Sequence, residues 1–380
     1  MTEEEVHGGF EFNLSELAGA LGDFGTILPL MFAVALVCNL NLGIILLFFG
    51  IWFMFTGLYY RLPVPVEPMK VIAVVAISSV LAGPEIAAAG ILLGLLFFFL
   101  GFGRWMYYIE KYVPNPVIRG IQLGLALLLL KSAGGFMLAA PAFFAFGIAV
   151  IALIFLLSYL GKVPDLSALV LLAIAVLIGI FLHGAPGLYM IRLPELVIPS
   201  FTDYIASVPE LVLPQAVITI TNAVLATSLL TKDLFSREIP AEKLSKTIGI
   251  MNIISAPFGG FPMCHGAGGL AAQYRFGART GGSNIFAGAI LLIIAVFFAG
   301  PGFQELISPG IYGALLVFVA IEMGKHGLKT DSLPVTAVTG VLALLSVVGG
   351  FVAGMILAYL IKWNRERKQK GEGITRSPGL

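Results

Sequence analysis

Charge is scarce in this sequence. Asp, Glu, Lys and Arg together make up 11% of its 380 residues, where a soluble chain carries about 25%. Hydrophobic side chains make up 59%, and mean hydropathy is +1.00. A soluble domain of this length lacks the interior to hide so much apolar surface, because burial saturates near ~75%. The shortage of charge therefore excludes a soluble or secreted protein and leaves a chain solvated mostly by lipid. Cysteine is nearly absent too. Cys38 and Cys264 both sit in apolar stretches, so no disulfide framework is indicated. The four histidines, His7, His183, His265 and His326, are too scattered for a metal cluster. The G-x-x-x-x-G-K-[ST], H-E-x-x-H and G-x-S-x-G patterns are all missing, which argues against ATP hydrolysis, zinc-protease chemistry and a nucleophile elbow. No catalytic residue, metal or cofactor is expected, and a net charge of +1 offers nothing to attract nucleic acid.

What is present is a succession of long apolar runs. A spanning helix needs about 20 apolar residues, fewer where half-helices meet at mid-membrane. Seven runs, 14–37, 42–60, 63–80, 84–102, 114–130, 141–160 and 166–183, precede a more polar, proline-bearing stretch at 184–208. Seven more follow, 209–230, 243–257, 261–274, 284–300, 309–323, 333–347 and 349–361. The expectation is an all-α polytopic membrane protein of about fourteen segments. Its parts are a cytoplasmic tail (1–13), a first seven-segment unit (14–183), an extracellular linker (184–208), a second unit (209–361) and a basic cytoplasmic tail (362–380). With both termini inside, nineteen basic residues fall on the cytoplasmic side, and only Lys131 and Arg192 fall outside. Lys70 lies within a segment.

An odd number of segments per half gives the halves opposite topology, so matching features should recur about halfway along the chain. Pro68-Met69 in segment three is followed 194 residues later by Pro262-Met263 in segment ten. Each pair opens an apolar run from a Pro- or Gly-rich stretch that cannot be regular helix, so each reads as extended backbone leading into a half-helix. Two such half-helix N-termini facing one another would gather free N–H groups and positive dipole ends around a cavity suited to an anion. Backbone donors are expected near Met69, Lys70, His265, Gly266 and Ala267.

Ionisable and polar residues within the spans are costly and count as functional candidates. Asp23 lies on a glycine-rich stretch where Gly19, Asp23 and Thr26 are expected to share a helix face. Gln215, Thr219 and Asn222 form a comparable stripe on segment eight. Interhelical hydrogen bonding is the competing role for these groups. Glu67 and Lys70 flank the third segment's half-helix, where they could neutralise each other or serve as a titrating acid and a fixed cation. His265 could be a ligand, a proton carrier or a hydrogen-bonded structural residue.

Four stretches, 16–29 (ELAGALGDFGTILP), 63–78 (PVPVEPMKVIAVVAIS), 214–235 (PQAVITITNAVLATSLLTKDLF) and 262–282 (PMCHGAGGLAAQYRFGARTGG), together resemble the molybdate transporter family related to sulfate permeases. The resemblance implies a seven-plus-seven inverted-repeat fold shared with sulfate, bicarbonate and uracil permeases. It also implies a substrate-carrying core domain that moves against a gate domain, with segments one, three, eight and ten lining the site. The implied function is secondary transport of a tetrahedral oxyanion across the cell membrane, molybdate first and sulfate second. Coupling to protons would run through Asp23 or Glu67. Asp23, Thr26, Met69, Lys70, Gln215, Thr219, Asn222, His265, Gly266 and Ala267 would bind the substrate. A bicarbonate transporter, a nucleobase permease and a passive anion channel are the rivals. Beyond substrate, proton and lipid, a homodimer is the only assembly considered. The family carries Gln where this sequence has Glu67, so a carboxylate here adds negative charge beside the oxyanion.

Overall fold

Side-chain caps set the first helices. Asn13 accepts from the Glu16 N–H to start α1 (Leu14–Gly22), and Asn41 accepts from the Ile44 N–H to start α3 (Leu42–Tyr60). Between them α2 (Phe24–Val37) leaves α1 at 45°, with Asp23 at the break. The computed structural model describes residues 9–103, 105–161, 167–185, 187–300, 303 and 306–374. Within these, strand β1 (Glu67–Pro68) leads into α4 (Lys70–Ser79), followed by α5 (Gly83–Leu100), α6 (Trp105–Tyr112), α7 (Asn115–Ala139), α8 (Pro141–Tyr159) and α9 (Ser167–His183). The second half contains α10 (Phe201–Phe235), α11 (Ala241–Ser255) and strand β2 (Met263–Cys264). It continues with α12 (Ala267–Arg275), α13 (Gly282–Phe297), α14 (Pro309–Gly327), α15 (Leu333–Ala343) and α16 (Val347–Ile374).

Among the described residues six helices are long and apolar enough to span a membrane alone, and a seventh span results if α1 and α2 count as one. The chain is a multi-pass membrane protein. Its helices pack in two groups. In one, α3 lies against α13, α5 against α11 and α10, and α1 against α12 and α13. In the other, α7 is the hub for α14, α15 and α16, with α8 and α9 beside α14. Helices α2 and α4 sit between the groups, touching α14 and α7 respectively. The α3–α13 contact depends on glycine. A Cβ on Gly50 or Gly57 would run into backbone of Gly288 or Gly281, so the two helices approach as small-residue pairs do in membranes.

Several boundaries differ from the sequence reading. Helix α10 begins at Phe201, inside the stretch expected to be linker, because Ser200 and Asp203 form a reciprocal capping box. The remaining linker is extended and tied down: Tyr189 N–H bonds the Phe297 carbonyl at 3.0 Å, and Val197 N–H bonds Pro257 at 2.7 Å. Residues 362–374, expected as tail, continue α16 as helix; 375–380 lie outside the described residues. The shared face of Gly19, Asp23 and Thr26 does not form as expected, since the bend at Asp23 rotates Thr26 away from the line of α1. In α10 a π-helical stretch, Thr219–Ala226, shifts the phase of the Gln215–Thr219–Asn222 stripe partway along it.

Candidate functional site

The two interrupted segments meet. β1 and β2 pair antiparallel, with Glu67 opposite Cys264 and Pro68 opposite Met263, and the Met69 N–H extends the ladder to the Pro262 carbonyl at 2.9 Å. Pro68 in β1 and Pro262 just before β2 keep the ladder this short. From it α4 and α12 depart, each starting at mid-chain apolar sequence without a Ser, Thr or Asp cap of its own. The free donors at their first turns are met from elsewhere. Gln215 on α10 accepts from the Val71 N–H at 2.8 Å through Oε1, and its Nε2 donates to Thr219 Oγ1 at 2.8 Å. Glu67 accepts from the Gly269 N–H at 2.9 Å through Oε1, and its Oε2 pairs with Lys70 Nζ at 2.7 Å. The N–H groups of Lys70, Ala267 and Gly268 have no partner among the described residues.

Asp23 adds a second carboxylate. It is 2% exposed, and its Oδ2 has no hydrogen-bond partner among the described residues. A Cβ built on Gly269 would collide with the carboxylates of both Asp23 and Glu67, which places the two acids against the same point of α12. The cation beside them is Lys70, whose ammonium pairs with Glu67 and whose side chain is 23% exposed.

The remaining expected residues divide into two kinds. Thr26 and Asn222 are half-buried and make no side-chain hydrogen bond among the described residues. Ala267 is half-buried, and Gly268 is exposed with open space where a Cβ would stand. These groups are accessible to a ligand. Met69 and His265 are not. Met69 is fully buried and its N–H is consumed by the strand ladder, so the donor expected there is Lys70's instead. His265 is fully buried, with Nδ1 donating to the Pro65 carbonyl at 2.9 Å and Nε2 accepting from Thr247 Oγ1 at 2.8 Å. Tyr60 donates to the same Thr247 hydroxyl at 2.7 Å, completing a chain that clamps the extended segment. Gly266 packs its backbone directly on the Glu67 carboxylate, where any side chain would collide.

Three supporting residues carry no signal in the sequence. Asn252 on α11 holds β2 through both its amide groups, donating to the Met263 carbonyl and accepting from the Met263 N–H at 2.9 Å. Asn284 donates to the Val64 carbonyl at 2.5 Å and to Thr56 Oγ1 at 3.0 Å, fixing the approach to β1. Glu16, within the first quoted stretch, accepts three backbone N–H groups, from Arg279, Thr280 and Ser283, and so caps α13. Each reads in sequence as an ordinary polar residue, because its partners lie more than ten positions away and in two cases in the other half of the chain.

Comparisons with known proteins agree with this architecture. A family model described as "Molybdate transporter of MFS superfamily" matches residues 15–129 and 207–323, which include α1–α4 and α10–α12. The chain is 32% identical to molybdate transporter 2 of Arabidopsis thaliana, over 92% of this chain and 87% of that one. It is 33% identical to molybdate transporter 1 of the same plant, over 94% and 90%. Molybdate transporter 1 of Chlamydomonas reinhardtii is 27% identical over 90% of each chain. Among solved structures, the transmembrane domain of the cyanobacterial bicarbonate transporter BicA aligns with a TM-score of 0.65 at 18% identity, covering 90% of this chain and 96% of that one. The murine Slc26a9 anion transporter in its inward-facing state aligns at 0.69 and 13% identity, over 93% and 69%. At such identities the structural likeness establishes the fold alone. The relatives are named as transporters. The chain belongs to the molybdate transporter family.

Proposed function

We propose that the chain is a secondary active transporter of a tetrahedral oxyanion, molybdate first, with sulfate as the nearest alternative. The observation that carries the reading is the meeting of α4 and α12 at the β1–β2 ladder, with unpartnered N–H groups at Lys70, Ala267 and Gly268 beside the Lys70 ammonium. Helix N-termini favour anions by dipole and by geometry. The substrate takes these donors, with Thr26 and Asn222 contributing hydrogen bonds from α2 and α10. Gln215 and Thr219 hold α10 against α4 and so position the donors rather than present them.

Moving a dianion into a negative interior costs ~2.3 kcal/mol per charge for each 100 mV. Uptake therefore needs at least two accompanying positive charges to avoid an electrical penalty. The Asp23–Glu67 pair is the proton site. It takes a proton as the substrate approaches and releases it inside with the substrate, cancelling one of the dianion's two charges; the second needs a further co-transported cation.

The transport cycle is alternating access on a seven-plus-seven inverted repeat of fourteen segments, both termini cytoplasmic. The α7, α8, α9, α14, α15 and α16 group is the gate, and the group around α3, α5, α10 and α13 is the core that carries the half-helices past it. The test is uptake of labelled molybdate into proteoliposomes across an imposed pH step, with sulfate, bicarbonate and uracil as competitors. Displacement by uracil, or no molybdate uptake at any pH, overturns the reading.

A further inference from the structure

A second polar site lies away from the β1–β2 ladder, where α6, the start of α15 and the far part of α16 come together. A cavity of about 360 Å³ there is lined by Lys111, Asp331, Ser332, Lys362, Arg365 and Glu366. Among the described residues none of Lys111, Lys362 and Arg365 is in an ion pair, although two carboxylates line the same cavity. One positive charge is left in excess. A shallow apolar groove of about 440 Å³ runs along α16 beside it, formed by Met355, Ile356, Tyr359, Leu360 and Trp363. Tyr359 lines both spaces, and its hydroxyl donates to the Tyr112 carbonyl at 2.8 Å, tying α16 to the end of α6.

The surroundings are those of a membrane interface. Helix α6 exposes Trp105, Tyr108 and Tyr112, and on α16 Trp363 is half-exposed beneath the Arg367 guanidinium at 3.8 Å. Aromatic side chains with cations stacked on them sit at headgroup level in membrane proteins. A short helix with exposed aromatics and a basic end lies in the interface plane.

We propose that this cavity and groove form a binding site for an anionic glycerophospholipid whose headgroup carries hydroxyls. The phosphodiester meets Lys111, Lys362 and Arg365 and cancels the excess charge. The headgroup hydroxyls donate to Asp331 and to Ser332, and one acyl chain follows the groove past Leu360 to Ile356. Basic pockets between membrane helices suit such headgroups. A soluble phosphate would leave the adjoining groove unused. A second copy of the chain meeting this face about a twofold axis would bring the same excess positive charge to both sides of the contact.

The test is native mass spectrometry of the purified full chain, with phosphatidylglycerol, phosphatidylcholine or glycerol 3-phosphate added. Retention of phosphatidylglycerol over phosphatidylcholine is expected, falling by about five-fold for each cation removed in the series R365Q, K362Q/R365Q and K111Q/K362Q/R365Q. These residues are on the surface, and an unchanged melting temperature in phosphatidylcholine micelles certifies the variants as folded. Ile356→Trp fills the groove, leaves every cation in place, and is expected to weaken retention as well. Equal retention by the variants and the unmodified chain overturns the proposal, as does equal binding of the two lipids. Competition by glycerol 3-phosphate as effective as by the lipid makes the ligand a soluble phosphate and overturns it too. Efficient disulfide crosslinking of Ile356→Cys chains in membranes shows a second copy on this face, with the same consequence. None of these readouts uses molybdate uptake, so the transport reading stands or falls separately.

Discussion

Glu67, on β1 in the first half of the chain, caps α12 in the second half by accepting the Gly269 N–H at 2.9 Å. A carboxylate belonging to the protein thus occupies a donor at one of the two helix ends in the proposed substrate site, and it holds the Lys70 ammonium at 2.7 Å as well. On that proposal an oxyanion shares these groups with a resident anion.

Glu67→Gln keeps an amide oxygen to accept from Gly269 but ends the ion pair with Lys70. Freed from its partner, Lys70 is available to the oxyanion. The KM for molybdate is expected to fall by about three- to ten-fold, because a close charge pair is worth several kcal/mol before solvent at the half-buried Lys70 and competing contacts reduce it. The same variant should lose most of its acceleration at low external pH. Uptake measured against concentration at two pH values reads both effects; an unchanged KM and pH profile would remove Glu67 from the site.

Asp23→Asn removes the acid whose Oδ2 lacks a partner, while leaving its volume intact. Proton-driven accumulation is expected to be abolished, with molybdate–molybdate exchange at equilibrium retained. The sign follows from the proposed coupling: a proton taken up on the acidic side and lost on the alkaline side makes accumulation follow an inward proton gradient. Accumulation by the variant equal to wild type would take Asp23 out of coupling.

The two adjacent glycines of α12 should differ sharply. Gly269→Ala drives a methyl into the carboxylates of Asp23 and Glu67, and overpacking of this kind typically costs 1–3 kcal/mol. A lower melting temperature and loss of uptake are expected. Gly268→Ala enters open space and is expected to melt no earlier than wild type. Thermal unfolding in detergent compares them directly, and equal melting of the pair would contradict the placement of the acids.

How much of this was legible in the sequence varies by element. The Pro68-Met69 and Pro262-Met263 correspondence located both interrupted segments, because proline at membrane depth has few structural outlets. Asp23, Glu67 and Lys70 stood out because charge is costly there. The roles of His265 and Gln215 were not legible. Whether a buried polar side chain faces a ligand or the backbone depends on partners brought close only by folding, here Pro65 and Thr247 for His265 and Val71 for Gln215. The bend at Asp23 and the π-helical stretch in α10 were missed for a related reason. Gly22 and Gly25 around Asp23, and Thr219 and Asn222 in α10, weaken helix propensity locally, but whether the helix bends, bulges or runs straight there is decided by the packing of neighbouring segments.

His265 is accordingly expected to act on stability. Its replacement by Ala leaves the Pro65 carbonyl without its partner, at a cost of about 1–3 kcal/mol for a buried group left unsatisfied, while Thr247 keeps Tyr60 and the Leu244 carbonyl. The melting temperature should fall while the KM of the folded fraction stays close to wild type. A KM raised ten-fold at unchanged stability would instead make the imidazole a substrate ligand.

Proton-driven accumulation of molybdate in proteoliposomes tests the central claim most directly. With the outside acidified and the membrane potential clamped, labelled molybdate should accumulate above its external concentration, collapse to equilibrium on adding a protonophore, and be displaced by sulfate but not by uracil. Entry that only equilibrates regardless of the pH step, or displacement by uracil, would contradict a proton-coupled oxyanion transporter built on the Asp23–Glu67 pair and the two half-helix ends.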